Sequence, residues 1–163
     1  MEFGRGDLKF HYRVSGVALH EGRVLLHRAV TDPFWILPGG HGEFLEDAAS
    51  TLRREMREEV GQEVTVGRLI WVVENFFRYA GYRCHELGLF FQMDLAPGSP
   101  LLGHPGPFHG HEGKLPLIFQ WYDVTDLTGV TLYPAFLKEA LTAVPAGTEH
   151  VVNREIPPLV PGA

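Results

Sequence analysis

Residues 40–62 read GHGEFLEDAASTLRREMREEVGQ, a glycine-containing stretch followed by a periodic one. From Glu46 onward the apolar residues recur at steps of three and four, which is the period of an amphipathic helix. The members of this apolar stripe are Ala49, Leu52, Met56 and Val60. Gly61 follows at a position where glycine commonly ends a helix. The stretch therefore predicts a loop and then a helix that begins near Glu46 and ends at Val60.

Three glutamates, Glu55, Glu58 and Glu59, lie beside the apolar stripe of this helix. At about 100° per residue they span roughly 100° of the helix surface, so their carboxylates share one face. Like charges at these spacings repel one another, and a bound divalent cation removes the repulsion. Mg²⁺ and Mn²⁺ bind oxygen ligands of this kind. Taken alone, however, the triplet is better explained as a solvated acidic face that neighbouring arginines relieve.

The charge of the chain is concentrated in the same region. The 163 residues include 14 basic and 20 acidic side chains, a net charge of −6, and residues 43–63 alone contribute −4. This acidic balance argues against a nucleic-acid surface, which requires a basic stripe. The single cysteine, Cys84, excludes a disulfide framework and a multi-cysteine zinc site.

The spacing within residues 40–62 resembles the Nudix box, which reads Gly, five residues, Glu, seven residues, then Arg-Glu-apolar-x-Glu-Glu-x-Gly-apolar. The matching positions are Gly40, Glu46, Arg54, Glu55, Met56, Glu58, Glu59 and Gly61. Gln62 departs from the pattern, because an apolar residue is usual there, and we interpret it as a packing variation. Leu45 stands where this family often has glycine, a change that alters the loop and leaves the ligand set intact.

The resemblance implies an α/β fold, a Nudix-type α/β/α sandwich around a mixed β-sheet, and hydrolysis that depends on Mg²⁺ or Mn²⁺. The implied metal ligands are the backbone carbonyl of Gly40 and the carboxylates of Glu55, Glu58 and Glu59. In the family Glu55 is a ligand or the group that activates water, Arg54 orients Glu55, and Glu46 is a supporting glutamate. The resemblance leaves the number of metal ions open.

A further catalytic base often lies outside the box in this family. Glu112 is the first candidate, because it precedes a predicted strand, and it joins Arg54, Glu55 and Glu58 in the expected catalytic set. Glu86 is a second candidate, although we interpret it as a solvated carboxylate, and we expect a structural role for Glu43. Tyr79 follows Gln62 by 17 residues, a distance at which members that cleave diadenosine polyphosphates tend to carry tyrosine.

Outside the box, apolar alternation and turn residues predict strands over residues 10–20, 23–29, 64–78, 82–95 and 117–124. The first two strands are expected to form a hairpin, and a second helix is expected over residues 133–144. Residues 96–116 are dense in Gly, Pro and His and are expected to be a functional lid or a disordered loop. We expect one domain over residues 1–155, with a frayed tail over residues 156–163.

The expected activity is hydrolysis of a diphosphate linkage in a nucleoside di- or triphosphate or in a nucleoside diphosphate derivative. The expected partner is this small-molecule substrate, with no membrane and no nucleic acid, and the resemblance leaves a homodimer open. Two alternatives remain, a Nudix-fold module that senses a nucleotide without cleaving it and an isoprenoid diphosphate isomerase, which would require Cys84 as its catalytic cysteine. No signal peptide is visible, so we expect a cytoplasmic protein.

Overall fold

Two β-sheets and two helices make up the computed structural model, which describes residues 1–157. The strands are β1 (Glu2–Arg5), β2 (Leu8–Val17), β3 (Leu19–His20), β4 (Arg23–Ala29), β5 (Gly39–His41), β6 (Val64–Tyr79), β7 (Tyr82–Leu95), β8 (Phe108–Glu112), β9 (Leu115–Asp123) and β10 (Glu149–Arg154). The helices are α1 (Ala48–Val60) and α2 (Leu137–Ala140), and a 3-10 helix covers Pro100–Leu102. No helix within residues 1–157 is long and apolar enough to cross a membrane.

The large sheet has the strand order β1-β2-β7-β6-β10, with β5 paired to the free part of β2. Within it β2 runs parallel to β7 and β10 runs parallel to β6, while the other pairs are antiparallel. The small sheet has the order β3-β4-β9-β8. The expected α/β fold with a mixed sheet and few helices is confirmed.

Two apolar clusters hold the helices against the sheets. The first contains Leu52 and Met56 of α1, packed with residues of both sheets such as Val14 and Phe119. The second contains Leu137 of α2. These helices therefore bury different sides of the sheet pair, and α1 is fixed by side chains that are fully removed from water.

The predicted bounds of α1 are correct at its end and early by two residues at its start. The helix begins at Ala48, because the Asp47 side chain accepts a hydrogen bond from the Ser50 backbone N–H at 3.0 Å and so caps it. At the other end Gly61 adopts a left-handed φ of 66° and its N–H donates to the Arg57 carbonyl at 3.1 Å.

The predicted hairpin between residues 10–20 and 23–29 is wrong over most of its length. The chain changes sheets at Ala18, so β2 joins the large sheet and only the two residues of β3 pair with β4. The Ala18 carbonyl accepts a hydrogen bond from the Leu25 N–H at 3.1 Å and holds this crossing in place. An uninterrupted run of strand-forming residues carries no local sign of such a change of partner.

The segment over residues 96–116 is a structured part of the fold and not a disordered loop. It contains the 3-10 helix and β8, which pairs with β9, and the Ser99 hydroxyl donates to Gln62 Oε1 at 2.6 Å. The Trp121 indole N–H also donates to the Leu101 carbonyl at 2.7 Å. Gln62, the departure from the Nudix pattern, therefore ties this segment to the end of α1.

The second predicted helix is reduced to the single turn of α2. Most hydrogen bonds over residues 134–143 join residues three apart, as from the Leu137 N–H to the Pro134 carbonyl, and only two join residues four apart. This tighter pattern is the 3-10 geometry that is common where a helix begins or ends. The predicted tail over residues 156–163 lies, apart from its first two residues, outside the described part of the chain.

Candidate active site

The loop before α1 brings its backbone close to two neighbours. Strand β5 pairs with β2, so that Gly39 lies opposite Ser15 and Gly40 lies opposite Val14. Gly39 has a φ of 140°, and a Cβ there would lie 2.1 Å from the Val14 carbonyl oxygen. A Cβ on Gly40 would lie 2.2 Å from the carboxyl carbon of Glu55. Only glycine lets this strand approach both the sheet and the helix.

Arg54 organises the carboxylates at the start and middle of α1. Its Nε and Nη2 atoms donate to the two oxygens of Glu46, each at 2.9 Å, and Nη2 also donates to the His41 carbonyl at 3.1 Å. Its Nη1 atom donates to Glu55 Oε1 at 2.9 Å. This fork matches the geometry in which arginine binds carboxylates most strongly. Arg54 lowers the pKa of Glu46 to about 2, so Glu46 stays ionised.

The three glutamates of the helix have different environments. The side chain of Glu58 is 61% exposed, that of Glu55 is 12% exposed and that of Glu59 is 4% exposed. Burial raises the pKa of Glu55, against the opposing effect of Arg54. Burial also raises the pKa of Glu59 to about 8, with Arg13 opposing the shift and the nearby Glu55 reinforcing it. Glu59 is therefore largely protonated at neutral pH when no cation neutralises it.

The carboxylates do not form a ready-made metal site. Within residues 1–157 no three His, Cys, Asp or Glu side chains converge closely enough to hold a metal ion. One reason is that Glu58 is directed to Arg54, with 3.3 Å between Nη1 and Oε2.

The residues nevertheless fit a hard divalent cation. Glu59 Oε2 is buried and has no hydrogen-bond partner among the described residues, although a buried polar atom without a partner is costly. The Glu55 carboxyl group lies directly over Gly40, where the absence of a Cβ leaves room for it. The carboxylates and the Gly40 carbonyl offer oxygen donors, which suit Mg²⁺ and Mn²⁺. Gly40, Glu55, Glu58 and Glu59 are the residues that could hold the ion.

A cavity of about 510 Å³ opens beside these residues. Its lining includes Gly40, Glu59 and Glu112, and the rim carries an aromatic group. In this group the Phe34 ring meets the Tyr79 ring edge-on at 6.1 Å and the Tyr133 ring at 5.4 Å. The volume is that of an ordinary small-molecule site. The cavity therefore combines carboxylates with aromatic rings in one lining.

A family model described as the NUDIX domain matches residues 9–143. The chain belongs to the Nudix hydrolase family. Members generally use divalent metal ions and act on small-molecule nucleotides. No curated protein sequence matches the chain.

Several solved structures are similar to this Nudix hydrolase. A UDP-X diphosphatase is 18% identical with a TM-score of 0.63, and the match covers 86% of this chain and 66% of that one. An ADP-ribose pyrophosphatase from Streptococcus suis is 18% identical with a TM-score of 0.57, covering 87% and 98%. A MutT Nudix hydrolase from Burkholderia pseudomallei is 25% identical with a TM-score of 0.56, covering 83% and 98%. The first two similarities are at the level of the fold.

Both glutamates that were candidates for a catalytic base outside the Nudix box lie at the cavity of this Nudix hydrolase. Glu112, at the end of β8, lines the cavity, and its charge contributes to the raised pKa of Glu59. Glu86 also lines it but is only 7% exposed, so its interpretation as a solvated carboxylate is wrong. Glu43, within the box, does not line the cavity, and its backbone N–H donates to Glu46 Oε2 at 3.3 Å. Cys84 is buried and does not line the cavity, which removes the residue that the isomerase alternative required.

Three cavity residues on the strands were missed by the sequence analysis. Arg13 on β2 donates from Nη2 to the Gly39 carbonyl at 2.8 Å and places a positive charge near Glu59. His27 on β4 and His41 on β5 also line the cavity of this Nudix hydrolase, and burial lowers the pKa of both rings. Strand alternation could have placed Arg13 on one sheet face, but no sequence signal indicates that this face meets the Nudix box.

Proposed function

We propose that this Nudix hydrolase uses Mg²⁺ or Mn²⁺ to cleave a diphosphate linkage in a nucleoside di- or triphosphate or in a nucleoside diphosphate derivative. The observation that carries the proposal is the buried, unpartnered Glu59 carboxylate at the wall of the cavity, beside Glu55 and Gly40. A divalent cation would give Glu59 the partner that it lacks. The same cation would make this acidic cavity able to receive a polyanion.

The chain's own residues divide the work of such a reaction. A bound cation would neutralise charge on the phosphoryl oxygens and lower the pKa of a water molecule. Arg54 holds Glu55 over Gly40, while Glu46 holds Arg54, so the position of Glu55 is fixed by two successive ion pairs. Glu112 faces the cavity from β8 and is our candidate for the general base.

The substrate class follows from the rim of the cavity and from the similar proteins. The rings of Phe34, Tyr79 and Tyr133 offer aromatic surface of the kind that packs against a nucleobase. The names of the similar structures, a UDP-X diphosphatase and an ADP-ribose pyrophosphatase, point to nucleoside diphosphates linked to another group. The proposal therefore places the diphosphate near α1 and the base toward the rim.

The test is a panel of nucleotides and nucleoside diphosphate derivatives, incubated with Mg²⁺, with Mn²⁺ or with a chelator, with the products identified by mass spectrometry. We expect metal-dependent cleavage of a diphosphate bond and its loss in Glu58→Gln and Glu59→Gln. The control is Glu63→Gln, because Glu63 lies just after α1 and pairs with Arg57 at 2.7 Å at the surface. Full turnover in both variants, or turnover in the chelator, would refute the proposed metal site. Binding without turnover would instead support the sensor alternative.

A further inference from the structure

His27 and Glu59 form an unsatisfied buried pair next to the proposed metal site. Within residues 1–157 four buried side-chain atoms have no hydrogen-bond partner, and three of them are His27 Nδ1, His27 Nε2 and Glu59 Oε2. Each side chain is about 5% exposed or less. Each unpartnered buried polar atom lowers the stability of the fold by about 1–3 kcal/mol. Three such atoms in one place therefore indicate that a ligand or a small rearrangement supplies their hydrogen-bond partners.

The two side chains are already in contact. His27 Nδ1 lies 3.5 Å from Glu59 Oε2, slightly beyond the usual length of a nitrogen–oxygen hydrogen bond. The His27 ring is fixed from the other side by Phe119, with 5.0 Å between the ring centroids, and its backbone is held by pairing of β4 with β9. A small movement of the Glu59 carboxyl group would therefore complete the bond, while the imidazole stays in place.

The two side chains are chemically suited to act as a donor and an acceptor. A neutral imidazole carries a proton on one of its two nitrogens, and an ionised carboxylate accepts hydrogen bonds through both oxygens. An ionised Glu59 would accept a hydrogen bond from the Nδ1–H of His27 through Oε2, the oxygen nearest the ring. The second lone pair of Oε2 and the other oxygen would then remain for a cation. Histidine and carboxylate side chains behind metal ligands commonly orient those ligands in this way.

We propose that His27 is a positioning residue that donates from Nδ1 to Glu59 Oε2 and so orients the Glu59 carboxylate toward a bound divalent cation. This inference rests on the proposed metal-dependent function and adds to it a residue outside the Nudix box. It predicts that His27 influences metal affinity in the absence of any substrate.

The experiment measures Mn²⁺ binding to the substrate-free protein by calorimetry and electron paramagnetic resonance. His27→Leu removes the donor and is expected to raise the dissociation constant for Mn²⁺ by about 10- to 100-fold. In His27→Asn the amide nitrogen stands near the position of Nδ1, so most of the affinity should return. The control is His85→Leu, because His85 stacks on Phe76 at 4.4 Å and does not line the cavity.

The outcomes separate this inference from the proposed function. If the wild-type protein binds no Mn²⁺, the metal-dependent function itself is refuted, and the role of His27 with it. If the wild type binds Mn²⁺ while His27→Leu binds it within twofold as tightly, or His27→Asn is no better than the leucine variant, only the role of His27 is refuted.

Nitrogen NMR of the wild-type protein provides a test that needs no substitution, in case His27→Leu fails to fold. The ¹⁵N chemical shifts of the His27 ring report which nitrogen carries the proton. We expect the proton on Nδ1 in the Mg²⁺-loaded protein, where Glu59 is ionised. A proton on Nε2 in the Mg²⁺-loaded protein would overturn the inference.

Discussion

Replacing Gly40 by alanine should separate activity from stability. A Cβ at this position would lie 2.2 Å from the Glu55 carboxyl carbon, whereas ordinary contact begins at 3.4 Å, so the carboxyl group must move by about 1.2 Å. Displacements of about 1 Å at a reacting centre can cost 10²-fold in rate. We therefore expect kcat/KM of Gly40→Ala to fall by about 10²-fold or more, on whichever panel substrate the wild type cleaves.

The stability of Gly40→Ala should change little by comparison. The displaced Glu55 loses one charge-assisted hydrogen bond to Arg54, worth about 1.5–3 kcal/mol. The alanine regains about 0.4–1 kcal/mol by restricting the unfolded chain, because Gly40 does not have a left-handed φ. The net loss in the free energy of unfolding should be about 0.5–2.6 kcal/mol, measured by urea denaturation.

The neighbouring glycine provides the matched control. In Gly39→Ala the new Cβ meets the Val14 carbonyl oxygen at 2.1 Å, which is backbone and cannot turn aside, and the φ of 140° excludes alanine. This variant should be far less stable than Gly40→Ala. If Gly40→Ala keeps the wild-type rate, or if the two variants are equally unstable, the assignment of Glu55 to the site over Gly40 is refuted.

Three further predictions concern the glutamates of α1 and Glu46, which lies just before it. Because burial raises the pKa of Glu59 from 4.5 to about 8, the folded metal-free protein keeps a proton that the unfolded chain releases. The contribution of Glu59 to the free energy of unfolding of the metal-free protein should therefore fall as the pH rises from 5 to 8, by at most about 1.4 kcal/mol for each pH unit. Urea titrations of the wild type and of Glu59→Gln at several pH values isolate this contribution from the opposite effect of the lowered pKa values of His27 and His41. Arg54→Lys keeps the charge but loses the fork to Glu46, so kcat should fall at least about tenfold while the circular dichroism spectrum is retained; an unchanged kcat would contradict the orienting role. Thr51→Val removes the 2.9 Å hydrogen bond to Glu46 Oε2 from a buried site and should lower the free energy of unfolding by about 1–2 kcal/mol, with a wild-type midpoint counting against it.

The local elements were predictable because their signals lie in adjacent residues. The stripe through Leu52 and Met56 predicted α1, and both residues are fully buried. Gly61 predicted its end. The predicted strands over residues 64–78 and 82–95 left a short turn between them, and there Ala80 and Gly81 both have positive φ. The second helix was overestimated, because its apolar spacing gave no sign that the hydrogen bonds around it are mostly of the 3-10 kind.

The residues that surround the Nudix box could not be predicted in the same way. The change of sheet at Ala18 brings Arg13 and His27, from different sheets, to the same cavity, and this depends on pairings between distant strands. Burial also raises the pKa of Glu59 above that of an ordinary glutamate, and this burial comes from strands that pack over α1. One example is the close approach of Gly110 to the Glu59 carbonyl.

The sequence by itself therefore determined the Nudix frame, the helix that carries Arg54, Glu55, Glu58 and Glu59, and the mixed α/β class of the fold. The frame and the helix follow from spacing and periodicity within one short segment, and the fold class is what the resemblance to the Nudix family implies. Only the tertiary structure decided that Glu59 is buried beside His27 while Glu58 is exposed. The physical reason is that burial is a property of what packs against a helix face, and the strands that cover this face come from parts of the chain far from the box in sequence.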